Sequence, residues 1–292
     1  MTGTDRRWAI IGAVAAVVAA AAFAGPWGVT MLDLEVYRVG GRALLDGVDI
    51  YSVRHPGTGL LFTYPVFSAM LLVPFTVLPL AVARVLLTLL SLSALFVIMH
   101  LMVRHIRGAP SLAWSVPLSA AAIAAHPVWE TFTFGQVNLI LTALVLVDVL
   151  VMRRRRGVLV GIAAGIKLVP GLFILYFLVT GQRRAALTAA VTTLVTVAAG
   201  FAVQPGPAWD FWTRYAFTPD RTGGIAYVAN QSFLGVSARL LRDPHPPRAL
   251  TLILGVAVVL FALAVARQLF RRGEELMAVA VIGIASLLAS PV

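Results

Sequence analysis

The sequence predicts an all-α, polytopic integral membrane protein, and three observations carry that prediction. The 292 residues are 60% hydrophobic and only 12% charged, with a mean hydropathy of +0.93, whereas a soluble domain carries roughly a quarter charged residues. Apolar runs of about 17–23 residues recur along the chain, near the length a helix needs to cross the hydrocarbon core. The short alternating strands of a membrane β-barrel do not occur. No long polar linker divides the chain, so residues 1–292 read as one transmembrane domain.

A net charge of +11 would point to nucleic acid in a soluble protein. Here the arginines cluster in short loops between apolar runs, which is how membrane topology is encoded, so no nucleic-acid partner is expected. The chain has no cysteine, hence no disulfide, thiolate nucleophile or thiolate metal site. Its five histidines lack a His-x3-His spacing. Neither a Walker loop nor a dinucleotide fingerprint occurs. No metal and no cofactor are therefore expected.

Residues 8–24 form the first span. Arg6 and Arg7 hold its start in the cytoplasm and make residues 25–81 a first outer loop. Gly25-Pro26-Trp27-Gly28 breaks the run at the interface, with Trp27 at headgroup depth. Residues 30–46 read as a helix lying on the membrane, with Thr30 as its cap and Gly47 ending it in the left-handed conformation. Asp33, Tyr37 and Gly40 or Gly41 then share one face, and Arg38 and Arg42 another. Each glycine lowers helix propensity by about 1 kcal/mol against alanine, a cost that close approach of a neighbouring helix or a ligand would offset. Residues 52–63 are loop.

Residues 82–103 are a clear span ending at Arg104, His105 and Arg107, and 111–126 and 137–152 are two more. The last ends at Arg153–Arg156, the strongest cytoplasmic marker in the chain. Counting back puts 127–136 outside, so residues 64–80, with Pro74 and Pro79, read as a re-entrant or interfacial segment. Residues 157–181 lie between arginine clusters that both favour the cytoplasm, yet 25 residues are too few for two full spans. Either they form a broken hairpin with Lys167 and Pro170 at its apex, or they form one tilted span with an inverted flank. Residues 185–203 lead out again, and 204–247 are a second outer segment rich in aromatics (Trp209, Phe211, Trp212, Tyr215). Residues 248–270 return to Arg271 and Arg272, and 275–291 head outward. The sequence stops among apolar residues, so a further C-terminal segment is expected.

On this topology Asp33, Tyr37, Glu130, Gln136, Asn138, Asn230 and Gln231 fall on the outer face, gathered from separate segments rather than scattered along a transport path. Asp33 fits two roles. Thr30-Met-Leu-Asp33 has capping-box spacing, with Asp in place of Glu or Gln. A partly desolvated carboxylate at a membrane surface is also suited to take a proton from an attacking hydroxyl. Glu35 points away and is expected to be solvated, and Asp46 and Asp49 are read as turn residues. Lys167, a charge inside an apolar run, either meets a lipid-borne phosphate or snorkels to an interface. Asp148 is expected to pair with Arg153 or to snorkel. Gln136 and Asn138 either cap a helix or recognise hydroxyls, and Asn230 and Gln231 offer the same choice. Arg214, Arg221 and Arg239 either bind phosphate or are solvated, and His126 is a capping or interfacial residue.

These residues fall into an ordered set of motifs. Asp33-Leu-Glu-Val-Tyr37 with Gly40-Gly41 comes first, then Gly47-x-x-Ile-Tyr51, Phe62-Thr-Tyr-Pro65, Gly135-Gln-Val-Asn138, Gly165-Ile-Lys-Leu-Val-Pro170 and Ala229-Asn-Gln-Ser232. In that order and over residues 30–292 the chain resembles the α-(1,2)-mannosyltransferases of glycosyltransferase family 87. The resemblance implies a GT-C-like helical bundle with interfacial helices in the first outer loop. It implies inverting transfer of mannose from β-mannosyl polyprenyl phosphate to a mannose-containing glycolipid or lipoglycan, at the outer face of the cell membrane. Asp33 would be the base. Lys167, Arg214 and Arg221 would hold the donor phosphate, and Tyr37, Tyr64, Gln136, Asn138, Asn230 and Gln231 would line the substrate site. The family pattern continues past Ser290-Pro291 into a tryptophan and two histidines, which would lie beyond Val292. A related arabinose or hexose transferase is the alternative. A transporter or flippase of lipid-linked sugar is a third reading, one that repeated halves and facing intramembrane charges would favour.

Overall fold

The computed structural model describes residues 3–24, 29–218, 221, 224–228, 230–243 and 245–290. Trp27, Ala229 and the last two residues lie outside this set. Among the described residues the chain is helical, with an isolated antiparallel bridge, Arg54 to Leu61, inside the loop expected at 52–63. The helices are α1 (Gly3–Ala24), α2 (Leu32–Leu45), α3 (Val66–Val77), α4 (Leu80–Arg107), α5 (Leu112–Ile123), α6 (His126–Phe134) and α7 (Asn138–Leu150). They continue as α8 (Val158–Ile166), α9 (Leu172–Val179), α10 (Arg183–Val203), α11 (Pro205–Thr213), α12 (Phe233–Leu241), α13 (Arg248–Arg271) and α14 (Glu275–Ala289). By length and composition α4, α10 and α13 are long and apolar enough to cross a membrane, as expected of an all-α polytopic membrane protein.

Three of the expected spans are shorter than read, one of them 275–291, where α14 has 15 residues. In place of 111–126 stands α5, with 12 residues, and in place of 137–152 stands α7, with 13. Neither reaches the roughly 20 residues a full crossing takes. The stretch between them, expected as an outer loop, is itself helix α6, which meets α7 at 118°. The chain chemistry accounts for the breaks. Pro127 stands in the first turn of α6, where its missing N–H costs nothing, and cannot continue a helix running in from α5. Gly135 closes α6 at φ 68°.

The hairpin reading of 157–181 holds. Arg156, just before α8, donates to the side chain of Gln182, the residue immediately before α10. A straight helix of that length would separate these ends by about 37 Å. Instead α8 and α9 fold back, and Lys167 sits in the break with extended backbone (φ −146°, ψ 137°). A seam of small residues holds α8 in place. Gly157, Gly161 and Gly165 recur every fourth residue along its contact with α10. A Cβ on Gly161 would lie 2.5 Å from Thr192 Cβ, and one on Gly165 2.6 Å from Thr196 Cβ. Such close helix approach is how apolar helices gain dispersion energy where no hydrophobic effect drives them together.

Asp148 neither pairs with Arg153 nor snorkels. It is fully buried and accepts the backbone N–H of Gly157 (2.6 Å) and Val160 (2.7 Å), capping α8 from α7. At the same end of the molecule Arg156 pairs with Glu275 at 3.1 Å.

Helix α2 lies between two apolar clusters. Tyr37 and Ala43 join the larger one, with Tyr51, Phe62 and Phe177. Met31 and Leu34 join a second, with Leu87, Leu95 and Phe132. Both glycines do admit close neighbours: a Cβ on Gly40 would strike the Phe62 ring, and one on Gly41 the Thr76 side chain. Gly47 follows the helix with φ 69°, as expected. Arg38 reaches α3, donating to the carbonyls of Phe75 and Leu78, while Arg42 pairs with Asp46 on the exposed side. Asp49 accepts the N–H of Tyr51 at 2.8 Å in a turn.

Candidate active site

The start of α2 differs from the expected cap. Met31, not Thr30, precedes the helix, and no side chain caps it. The Thr30 carbonyl accepts from Arg84 instead. Met31 has φ 47°, a left-handed conformation that costs a non-glycine residue about 1 kcal/mol or more. It is held there by burial and by its N–H, which donates to the Thr133 carbonyl at 3.1 Å. This ties the first turn of α2 to the last turn of α6. Gly135 completes the junction: a Cβ there would come within 3.0 Å of the Cβ atoms of Met31 and Leu34. The capping-box role of Asp33 therefore falls away, and the junction sets Gln136 against its carboxylate.

From Asp33 a continuous line of polar contacts runs through four separate chain segments. Its carboxylate lies beside the Gln136 side chain, which favours its ionised form. Gln136 Oε1 accepts from Asn138 Nδ2 at 2.7 Å. Asn138 Oδ1 accepts from Lys167 Nζ at 3.2 Å. The same ammonium lies 5.4 Å from the centre of the Tyr64 ring, a cation–π contact. Tyr64 and Tyr37 share a hydrogen bond between their hydroxyls at 3.2 Å. Tyr37 lies one turn after Asp33 and is buried. Neither Gln136 nor Asn138 caps α7; both are spent on this line.

Burial pushes the Asp33 carboxyl above the usual carboxylate range, while the Gln136 hydrogen bond and the Lys167 charge pull it back part of the way. Burial, followed by the neighbouring Tyr64 and Asp33, pushes the Tyr37 hydroxyl well above the usual phenol range, so it stays protonated. Glu35 is not free in solvent, although its side chain stays 27% exposed. It is held by Arg84 at 3.0 Å and by His55 at 3.1 Å, which leaves Asp33 as the carboxylate of this line.

The segment that follows α10 docks on the same tyrosines. Tyr51 donates to the Tyr64 carbonyl at 2.7 Å. Arg221 donates to the Tyr51 carbonyl at 2.8 Å and lies 3.9 Å from the Tyr215 ring centre. Gln204 donates to the Val48 carbonyl. The remaining sequence candidates do not join the line. Arg214 is exposed and pairs with Asp210 at 3.6 Å. Asn230 accepts from Ser232 and donates to the Ile225 carbonyl, and Ser232 caps α12. Gln231 is exposed and donates to the Val228 carbonyl. Arg239 braces the same turn through the carbonyls of Tyr227 and Asn230. His126 and Glu130 face each other on α6 at 3.8 Å. Sequence reasoning assigned no role to Tyr51, although it stood in a motif, and had no signal for Arg84, whose partner lies 49 residues away.

Residues 62–291 match the family described as Glycosyltransferase family 87, a match that begins after Asp33 and Tyr37. A polyprenol-phosphate-mannose-dependent alpha-(1-2)-phosphatidylinositol mannoside mannosyltransferase of Mycobacterium tuberculosis is 32% identical over 281 residues, covering 89% of this chain and 66% of that protein. Its namesake in Mycolicibacterium smegmatis is 32% identical over 260 residues, covering 82% and 59%. A polyprenol-phosphate-mannose-dependent alpha-(1-2)-phosphatidylinositol pentamannoside mannosyltransferase of the latter organism is 32% identical over 274 residues, covering 91% and 66%. The chain thus spans 59% to 66% of the length of these curated relatives. No solved structure matches.

Proposed function

Because this chain belongs to glycosyltransferase family 87, we propose that it transfers mannose from a polyprenyl-phosphate-mannose donor to a mannose-bearing glycolipid, with inversion, at the outer face of the membrane. The observation that carries this reading is the Asp33–Gln136–Asn138–Lys167 line, which joins one carboxylate to one ammonium inside an apolar bundle. Asp33 takes the proton of the acceptor hydroxyl as that oxygen attacks the anomeric carbon from the face opposite the phosphate. The bond to the phosphate oxygen breaks, and the departing lipid phosphate gains negative charge, which the Lys167 ammonium neutralises. A double displacement would need a second carboxylate at the reacting carbon; among the described residues Glu35, the nearest in sequence, is engaged by Arg84 and His55. Arg221, anchored on Tyr215 and Tyr51 beside the same tyrosines, is a second cation for the phosphate.

Helix α7 separates Asn138 from the basic end near Arg156 and has 13 residues, so it is about 20 Å long. A site at the end away from the basic clusters suits a donor phosphate carried on a polyprenyl chain. The clusters Arg153–Arg156, Arg183–Arg184 and Arg271–Arg272 favour the cytoplasm for the opposite end. The names of the relatives support a phosphatidylinositol mannoside acceptor.

Membranes containing the chain test the reading when incubated with radiolabelled polyprenyl-phosphate-mannose and a phosphatidylinositol mannoside. Label is expected in a larger glycolipid, and GDP-mannose should not substitute for the donor when lipid-linked mannose synthesis is blocked. Transfer from GDP-mannose under that block, with none from the lipid donor, would overturn it.

A further inference from the structure

We propose that Gln136 and Asn138 are positioning residues: they join the Asp33 carboxylate to the Lys167 ammonium in a one-way hydrogen-bonded relay, through which a donor phosphate docking on Lys167 makes Asp33 the stronger base. This rests on the proposed roles of Asp33 and Lys167.

The direction of the relay follows from its two ends. An ammonium can only donate and a carboxylate can only accept. Lys167 Nζ donates to Asn138 Oδ1, which leaves the Asn138 amide nitrogen to donate onward, and it does so to Gln136 Oε1. Gln136 then keeps its own amide nitrogen to offer to the neighbouring Asp33 carboxylate, whose ionised form it favours. Each amide commits its oxygen and one N–H to the line, so neither is arranged primarily to read sugar hydroxyls. Aligned amides polarise one another, and each bond strengthens the next in a low-dielectric setting. The Lys167 charge therefore reaches Asp33 both through space and through the amides, and both effects favour the ionised carboxylate.

A phosphate arriving at Lys167 reverses this. Its negative charge offsets the ammonium and competes for the hydrogens that serve Asn138. The amides lose their polarising end, the Gln136 bond to Asp33 weakens, and the carboxylate holds a proton more tightly. The base would thus be strengthened when a donor is present. The groups facing Asp33 are few. Tyr37 lies on the same helix, Tyr64 just before α3 and Lys167 in the α8–α9 break. Glu130 on α6 pairs with His126, and Arg84 on α4 and His55 are taken by Glu35.

The test is an infrared titration of the full chain in lipid nanodiscs, with the Asp33 carboxyl band assigned by its loss in Asp33→Asn. In the wild type, adding a short-chain polyprenyl phosphate should raise the titration midpoint by about one unit, the scale of one nearby charge. In Asn138→Leu, and independently in Gln136→Leu, the midpoint should already be raised without phosphate, and the further shift should be at most half as large. Wild-type midpoints in both variants, or a full phosphate-induced shift in both, would overturn the relay. Transfer kinetics give a second readout: kcat should fall with acceptor KM held. A raised acceptor KM with kcat held would make the amides sugar-binding groups instead. If the titrations behave as expected while the wild type moves no mannose, the proposed function fails and the relay stands.

Discussion

Asp33→Asn is expected to lower mannosyl transfer about 10²–10⁴-fold, the usual worth of a positioned general base. The chain should fold as before. Asparagine matches aspartate in shape, and its Oδ1 can still accept from Gln136, so the contact to α7 survives while the proton acceptor is lost. Stability is expected to hold or rise slightly, because a neutral amide is less costly to bury than a carboxylate. Thermal unfolding in detergent beside a transfer assay separates the two effects. The pH dependence has a definite sign. Burial raises the Asp33 pKa in the folded chain, so the folded state binds a proton that the unfolded state has released. The native state is therefore favoured at the lower end of that window, and stability falls as pH rises through the folded value. Activity runs the other way, since only the ionised carboxylate accepts a proton. Transfer should be lost as pH falls through a value above the ordinary carboxylate range.

Lys167→Met is expected to lower kcat/KM for the lipid donor by about 10²–10³, as removal of a preorganised charge partner does elsewhere, with little change in acceptor KM. Lys167 is built into the break of a hairpin, with its ammonium between Asn138 and the Tyr64 ring. A snorkelling lysine would point to an interface and meet neither. Its removal also deprives Asp33 of the opposing charge, so the acid limb of the rate profile should move to higher pH. Unchanged donor kinetics with an unmoved profile would return Lys167 to a packing role. Arginine should restore only part of the activity, since its planar fork does not fill the place of a compact ammonium.

The sequence-based reading reached these residues because polar side chains are costly in an apolar bundle. Asp33, Lys167, Gln136 and Asn138 stood out against their neighbours, and arginine counting brought them to one end. Arginine counting also favoured the hairpin at 157–181, which the contact between Arg156 and Gln182 bears out. What stayed hidden depended on distant partners. Thr30 has good capping chemistry, yet its carbonyl is claimed by Arg84 and the cap falls to a strained Met31 fixed by Thr133. Glu35 sits two residues from the proposed base in sequence, but His55 and Arg84 claim its carboxylate. Asp148 looked like a snorkelling residue because its true partners, the free N–H groups of α8, follow a turn that only the fold creates. The lengths of α5 and α7 were overestimated because hydropathy does not register a bend at Gly135 or a helix start at Pro127.

The chemistry assigned to Asp33 can be tested most directly by the configuration of the product. Purified chain in lipid vesicles, given β-mannosyl polyprenyl phosphate labelled with carbon-13 at the anomeric position, should form a glycolipid whose new linkage is α, read from the anomeric carbon–hydrogen coupling by NMR. No mannose should become attached to the protein at any stage. A β-linked product, or a mannosyl ester trapped on Asp33, would contradict a single displacement driven by one carboxylate base.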